Sequence, residues 1–220
     1  SPGGITAWLV EEHSIPMLAV EISFMGGAAL DPVGKEGLAN LLSGLLDEGA
    51  GDLDSFAFQE RLEDLAISLS FQAGRDTFNG SLRTLTENRD EAFRLLGLAL
   101  NEARFDAEPV ERIRGQILVG IRRGKENPNR IISQAFFREA FPGHVYSRLV
   151  RGTEETLAAV TADDLRQFVG TRFARDNMIV GVVGDVTPEQ LGPLLDKALA
   201  ALPVVSEPYD SPDAVVPPSG

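Results

Sequence analysis

Chemistry has few places to start in this chain. Among 220 residues there are two histidines, His13 and His144, and no cysteine, so disulfides and thiolate chemistry are excluded. His13 sits in the turn EEHSIP, where Glu11 and Glu12 could join it on a surface metal, although the turn makes it first a solvated loop histidine. His144, in FPGHVYSRLV, reads as a loop-packing residue. Asp47 and Glu48 are adjacent carboxylates at the end of a short amphipathic stretch and read as a solvated helix end. GVVGDV follows an apolar run and precedes a helix start. It lacks the G-x-G-x-x-G spacing that a dinucleotide site needs.

The stretch KEGLANLLSGLLDEGAG, from Lys35 to Gly51, raises the sharper question. Leu38, Leu41, Leu42, Leu45 and Leu46 form one apolar stripe at helical spacing, and Gly49 and Gly51 supply a stop. The opposite face carries Asn40, Ser43, Gly44 and Asp47, of which the first three bring neither a strong metal ligand nor a base.

The elements that would hold this helix follow from the pattern. Alternating or apolar runs at 5–10 and 17–25 read as two strands in a hairpin or adjacent pair, and 67–71 with 78–82 as a second pair turning near Gly74. Asp54 caps a helix running to about Leu65, and Asn88 with Glu91 offers a capping box. Asp106 with Pro109 opens a helix through Val110, Ile113, Ile117 and Ile121, and RIISQAFFREAF is a further one. Thr161 with Asp164 starts another, MIVGVVGD is a buried strand, and Thr187, Pro188 and Gln190 start the last. This order departs from βαβ alternation. It predicts an α+β fold with a mixed, largely antiparallel sheet and helices packed on one face. Residues 1–203 read as one domain and the Pro-rich 204–220 as a linker or tail towards a second domain.

A formal net charge of −13 disfavours nucleic acid and anionic lipid as partners. No apolar run reaches the roughly 18–20 residues that span a bilayer, so no membrane insertion is expected. The opening SPGGITAWLVEEH lacks the basic and apolar regions of a signal peptide.

GGAALDPVGKEGLANLLSG, Gly26 to Gly44, resembles without a gap the GGA-x-x-DP-x-GK-x-GLAH-x-x-EH frame of the pitrilysin-like zinc peptidases, the H-x-x-E-H inverzincins. LSFQAGRDTFNG, FDAEPVERIRGQILVGI and the long stretch from His144 to Val186 resemble later segments of the same family. The resemblance implies the fold of a pitrilysin/LuxS-like half-subunit, in its N-terminal half. Carried over residue by residue, the first histidine ligand falls on Asn40, the general base on Ser43, the second histidine on Gly44 and the glutamate ligand on Gly120. A supporting acidic position falls on Ile113.

A catalytic zinc needs about three His, Glu, Asp or Cys ligands and an open position. An amide and two glycines do not supply them, and a lone hydroxyl is no base near neutral pH. The resemblance therefore implies a non-catalytic member with no cofactor of its own, zinc being expected only in an active partner. It implies a heterodimer with an HxxEH subunit, the two enclosing peptide substrate, and export to the periplasm as in bacterial relatives. It also implies a peptide-binding edge strand at Leu69, Ser70, Phe71, Gln72, Ala73 and Gly74, since strand addition uses backbone groups alone; a merely protected edge strand is the other reading. The rival from another class is a structural assembly module resembling the core proteins of respiratory complex III.

Overall fold

Period-2 alternation sets the sheet. In β2 (Met17–Met25) Leu18, Val20, Ile22 and Phe24 are buried while Met17, Glu21 and Met25 face out. In β4 (Thr77–Leu85) Phe78, Gly80, Leu82 and Thr84 do the same. The structure, a computed structural model, describes residues 1–209. With β1 (Trp8–Glu11), β3 (Ser68–Ala73) and β5 (Met178–Gly184), these strands make a five-stranded sheet in the order β1-β5-β2-β4-β3. Only the β1/β5 pair is parallel.

β1 and β2 are not the hairpin or adjacent pair expected. β5 lies between them, Val182 standing opposite Leu9 on one side and Val20 on the other. The reason is in β5 itself: MIVGVVG is apolar nearly throughout, and such a run is best satisfied with a strand on each side. β3 pairs with β4 alone, so it is one edge of the sheet.

One face of the sheet is covered by α1 (Leu38–Ser43), α2 (Ser55–Asp64), α3 (Arg89–Asn101), α4 (Ala107–Gly124), α7 (Ala162–Arg172) and α8 (Pro188–Leu199), which complete one hydrophobic core. Phe24 stacks on Phe173 at 4.5 Å, with Phe78 and Phe168 beside them. The far face leaves Trp8, Val10, Ile179 and Val183 exposed. Two further helices, α5 (Pro128–Ala140) and α6 (Glu154–Ala158), stand after α4, and α5 buries no residue fully. Among the described residues no helix is long and apolar enough to cross a membrane.

The capping boxes at Thr161/Asp164 and Thr187/Gln190 form as expected, and Asp54 accepts from Ala57 N. The box at Asn88/Glu91 does not. Asn88 Nδ2 donates to Leu65 O, and the Glu91 carboxylate is taken by Arg61 and Arg94, whose charge outcompetes a backbone N–H and holds Glu91 down at about 2. Of 204–220, residues 204–209 are described: Ser206 N donates to Asp176 and Glu207 N to Thr171 O. Residues 210–220 lie outside the described residues.

Candidate functional site

The stretch expected to be one helix to Gly49 is helical only as α1, Leu38–Ser43, and ends at Gly44. Beyond it the bonds tighten to i→i+3, Leu45 N to Leu42 O and Glu48 N to Leu45 O. The leucine stripe survives the change: Leu38, Leu41, Leu42, Leu45 and Leu46 are all buried. At the other end the chain enters through Gly37 at φ 97°, a left-handed backbone that only glycine adopts easily. A side chain there would also meet the backbone of Arg151.

Sequence reasoning did not single out the residue that starts this helix. Asp31 is buried, and its carboxylate accepts from Gly37 N at 2.8 Å and Ala39 N at 3.0 Å, satisfying two N–H groups that the helix cannot. Burial pushes the carboxyl up to about 7 against those two bonds, which favour the charged form. Its place in the DP of the Gly26–Gly44 frame was the available signal.

Two of the carried-over positions, Gly44 and Ile113, meet in space. α1 packs on α4 so that a Cβ on Gly44 would lie 2.9 Å from Ile113 Cγ2, bringing the second-histidine position against the supporting acidic one. At Gly120, about two turns along α4 from Ile113, Arg130 Nη1 donates to the backbone carbonyl at 2.8 Å, and Arg151 Nη1 lies 3.5 Å from where a Cβ would stand. Ser43 Oγ donates to Asn40 O at 2.9 Å, a local back-bond, and among the described residues it makes no hydrogen bond to an imidazole or carboxylate that could take its proton.

This donor set does not fit zinc. One wall is an isoleucine methyl, another carries a guanidinium, and the hydroxyl and amide that remain are weak donors. Among the described residues no group of three or more His, Cys, Asp or Glu is arranged to hold a metal.

The other candidates have structural work. Asp47 and Glu48 are half-buried rather than a solvated helix end. Glu48 is clamped by Arg112 Nη2 at 2.6 Å and Ser55 Oγ at 2.5 Å, tying the end of the stretch to α2 and α4. Burial raises Asp47 to about 6 despite the Gln59 amide beside it. The reason is the early end of α1, which turns both carboxylates back against α2. His13 Nδ1 lies 2.8 Å from Asp185, which raises the imidazole above its ordinary value, with Glu11 adding to the effect. His144 packs its ring against Phe141 and Tyr146. Gly184, in GVVGDV, has φ 140° and passes against the Met17 backbone, a close strand contact and no phosphate cradle.

In β3, Leu69 is buried, Phe71 and Ala73 are half-buried, and Ser68, Ser70 and Gln72 are open or partly open. Its outer backbone edge faces no strand among the described residues. Gly74 stands past the strand end, its carbonyl taken by Ala28 N and its N–H bonded to Thr77 O.

Residues 159–220 match the family described as the peptidase M16 inactive domain. The crystal structure of a peptidase M16 inactive domain from Pseudomonas fluorescens superposes with a TM-score of 0.90 at 25% identity, over 97% of this chain and 52% of that one. In sequence and fold the chain is similar to peptidase M16 domains. A relative from Helicobacter pylori, the non-peptidase homolog YmxG, is 28% identical over 202 residues, 90% of this chain and 47% of that protein. Subunit 1 of the human mitochondrial cytochrome b-c1 complex is 21% identical over 88% of this chain and 40% of its own length. The chain thus spans about half the length of the curated relatives it matches.

Proposed function

We propose that this domain is the non-catalytic partner of an HxxEH zinc peptidase, helping to enclose peptide and hold it along the β3 edge. The observation that carries the reading is the contact between Gly44 and Ile113. Asp31 and Gly37 set α1 and α4 packs across it, yet where the second-histidine position meets the supporting acidic one the contact is hydrocarbon. A domain so built contributes shape and surface, with metal and hydrolysis supplied by the other subunit. β3 supports the peptide-holding half of the reading, because its outer edge can pair with an extended chain through backbone groups. Export of the pair to the periplasm belongs to the same reading and is checked by cell fractionation.

Reconstitution tests it. The full-length protein is mixed with its candidate HxxEH subunit and the peptidase rate is followed beside sedimentation. A heterodimer whose rate exceeds that of the active subunit alone is expected. No complex and no rise in rate would sink the proposal. A stable complex without any rise would instead favour the structural module, the reading to which similarity with the cytochrome b-c1 subunit lends support.

A further inference from the structure

Beside the Gly120 end of the site is a cavity of about 410 Å³, enclosed by the end of α4, by α5 and by the segment 147–155, with Arg75 entering from just past β3. Five basic side chains line it, Arg75, Lys125, Arg130, Arg148 and Arg151, against two carboxylates, Glu154 and Glu155. Glu154 is already neutralised by Arg122 at 2.7 Å and Lys125 at 3.2 Å, and Glu155 accepts from Thr153 Oγ1.

The four arginines are held in place by neutral groups. Arg75 lies 3.5 Å over the Phe137 ring with its Nε towards Tyr146 O, Arg130 donates to Gly120 O, and Arg148 donates to Asp31 O. Arg151 has its backbone against Gly37 and its guanidinium beside Gly120. None of the four forms an ion pair with a carboxylate of the described residues. In a chain of net charge −13, acids to pair them are plentiful elsewhere, so four guanidiniums gathered without one make a strongly positive hollow. Burial lowers Arg75 from its ordinary value although Asp76 is nearby, as expected of a charge short of compensation. Guanidinium forks match a carboxylate geometrically, and the hollow is the size of a ligand pocket.

Arg75 is two residues beyond the last residue of β3, so a peptide laid extended along that edge and running past Ala73 is directed at the hollow. We infer that this cavity is a carboxylate-binding site that takes the C-terminal carboxylate, or an acidic side chain, of an extended peptide. The inference rests on the peptide-holding half of the proposed function.

The test uses the full-length protein at low salt and three forms of one extended peptide, acetyl-Thr-Val-Thr-Val-Thr-Val. One has a free C-terminus, one is amidated, and one is amidated after an added glutamate. Binding is measured by calorimetry and mapped by backbone amide shifts. The expected result is that the free acid binds about tenfold or more tightly than the amide, and that Arg151→Gln, checked for a native melt, abolishes the difference. Arg130→Gln is the second variant, should the first fail to fold. A glutamate peptide that matches the free acid would show that a side-chain carboxylate serves as well as the terminus, and one that matches the plain amide would identify the terminus alone. Equal binding of acid and amide, with shifts confined to β3, would overturn the carboxylate site and leave the edge-strand reading standing. No binding of any form would overturn both.

Discussion

The two ends of the candidate site differ in kind. At Gly44 the position of a ligand is closed by hydrocarbon, Ile113 Cγ2 lying where a side chain would grow. At Gly120 the position opens towards Arg151 and the arginine-lined hollow, with only ordinary van der Waals distance to the nearest atom. The difference follows from where each sits. Gly44 ends a helix buried against the sheet, where volume not filled by side chains costs packing energy. Gly120 is on the part of α4 where the helix emerges, so water and long cationic side chains can share the space. A zinc site needs its ligands to converge on one polar point, and here the two halves have become a core contact and a surface hollow.

The comparison can be broken hardest through the frame both ends share. Asp31→Ala should destabilise the domain by about 3 kcal/mol, because two buried N–H groups at the start of α1 lose their acceptor. Denaturant melts would read this, and Asp31→Asn should recover part of it. The carboxyl's folded value, about 7, lies above its unfolded one, so its contribution is fully present below about pH 4 and fades as pH rises through about 7. Asp31→Asn should flatten that slope.

Gly44→Ala should cost about 1–2 kcal/mol, since its Cβ at 2.9 Å from Ile113 Cγ2 forces a β-branched side chain to move. Ile113→Val does not remove that methyl, whereas Ile113→Ala does and should relieve the strain in the double variant. Gly120→Ala should act in the opposite direction, gaining about 0.5–1 kcal/mol, because a helix-interior glycine becomes alanine where there is room. The same substitution with opposite signs at the two ends is the sharpest check on the contrast, and equal signs in melts would refute it.

The smallest effect lies away from the site. By NMR His13 should titrate above the ordinary histidine value, and Asp185→Asn should bring it down. Its small stabilising contribution is present below the unfolded histidine pKa and is lost as pH rises through the folded one.

Much of this was legible in the sequence where the determinants are local. The capping residues Thr161, Thr187 and Asp54 act within a few residues of themselves, and the leucine stripe needs only helical spacing. The frame from Gly26 to Gly44 carried the fold class and three of the carried-over positions, Asn40, Ser43 and Gly44. What failed depends on distant partners. β5 inserts between β1 and β2 from more than 150 residues away, a choice no local alternation encodes. Glu91 left the Asn88 box for Arg61, thirty residues back. The early stop of α1 is set by the contacts around Gly44, and the arginine hollow gathers residues from 75 to 151 with no shared motif.

The central claim is that these positions no longer make a metal centre. The most direct measurement is the zinc content of the purified full-length protein after equilibrium dialysis against Zn²⁺, read by mass spectrometry alongside peptide cleavage. The account predicts zinc well below one per chain and no cleavage by the protein alone. Stoichiometric zinc that falls on substitution of Asn40 or Ser43, with cleavage in the absence of any partner, would contradict it.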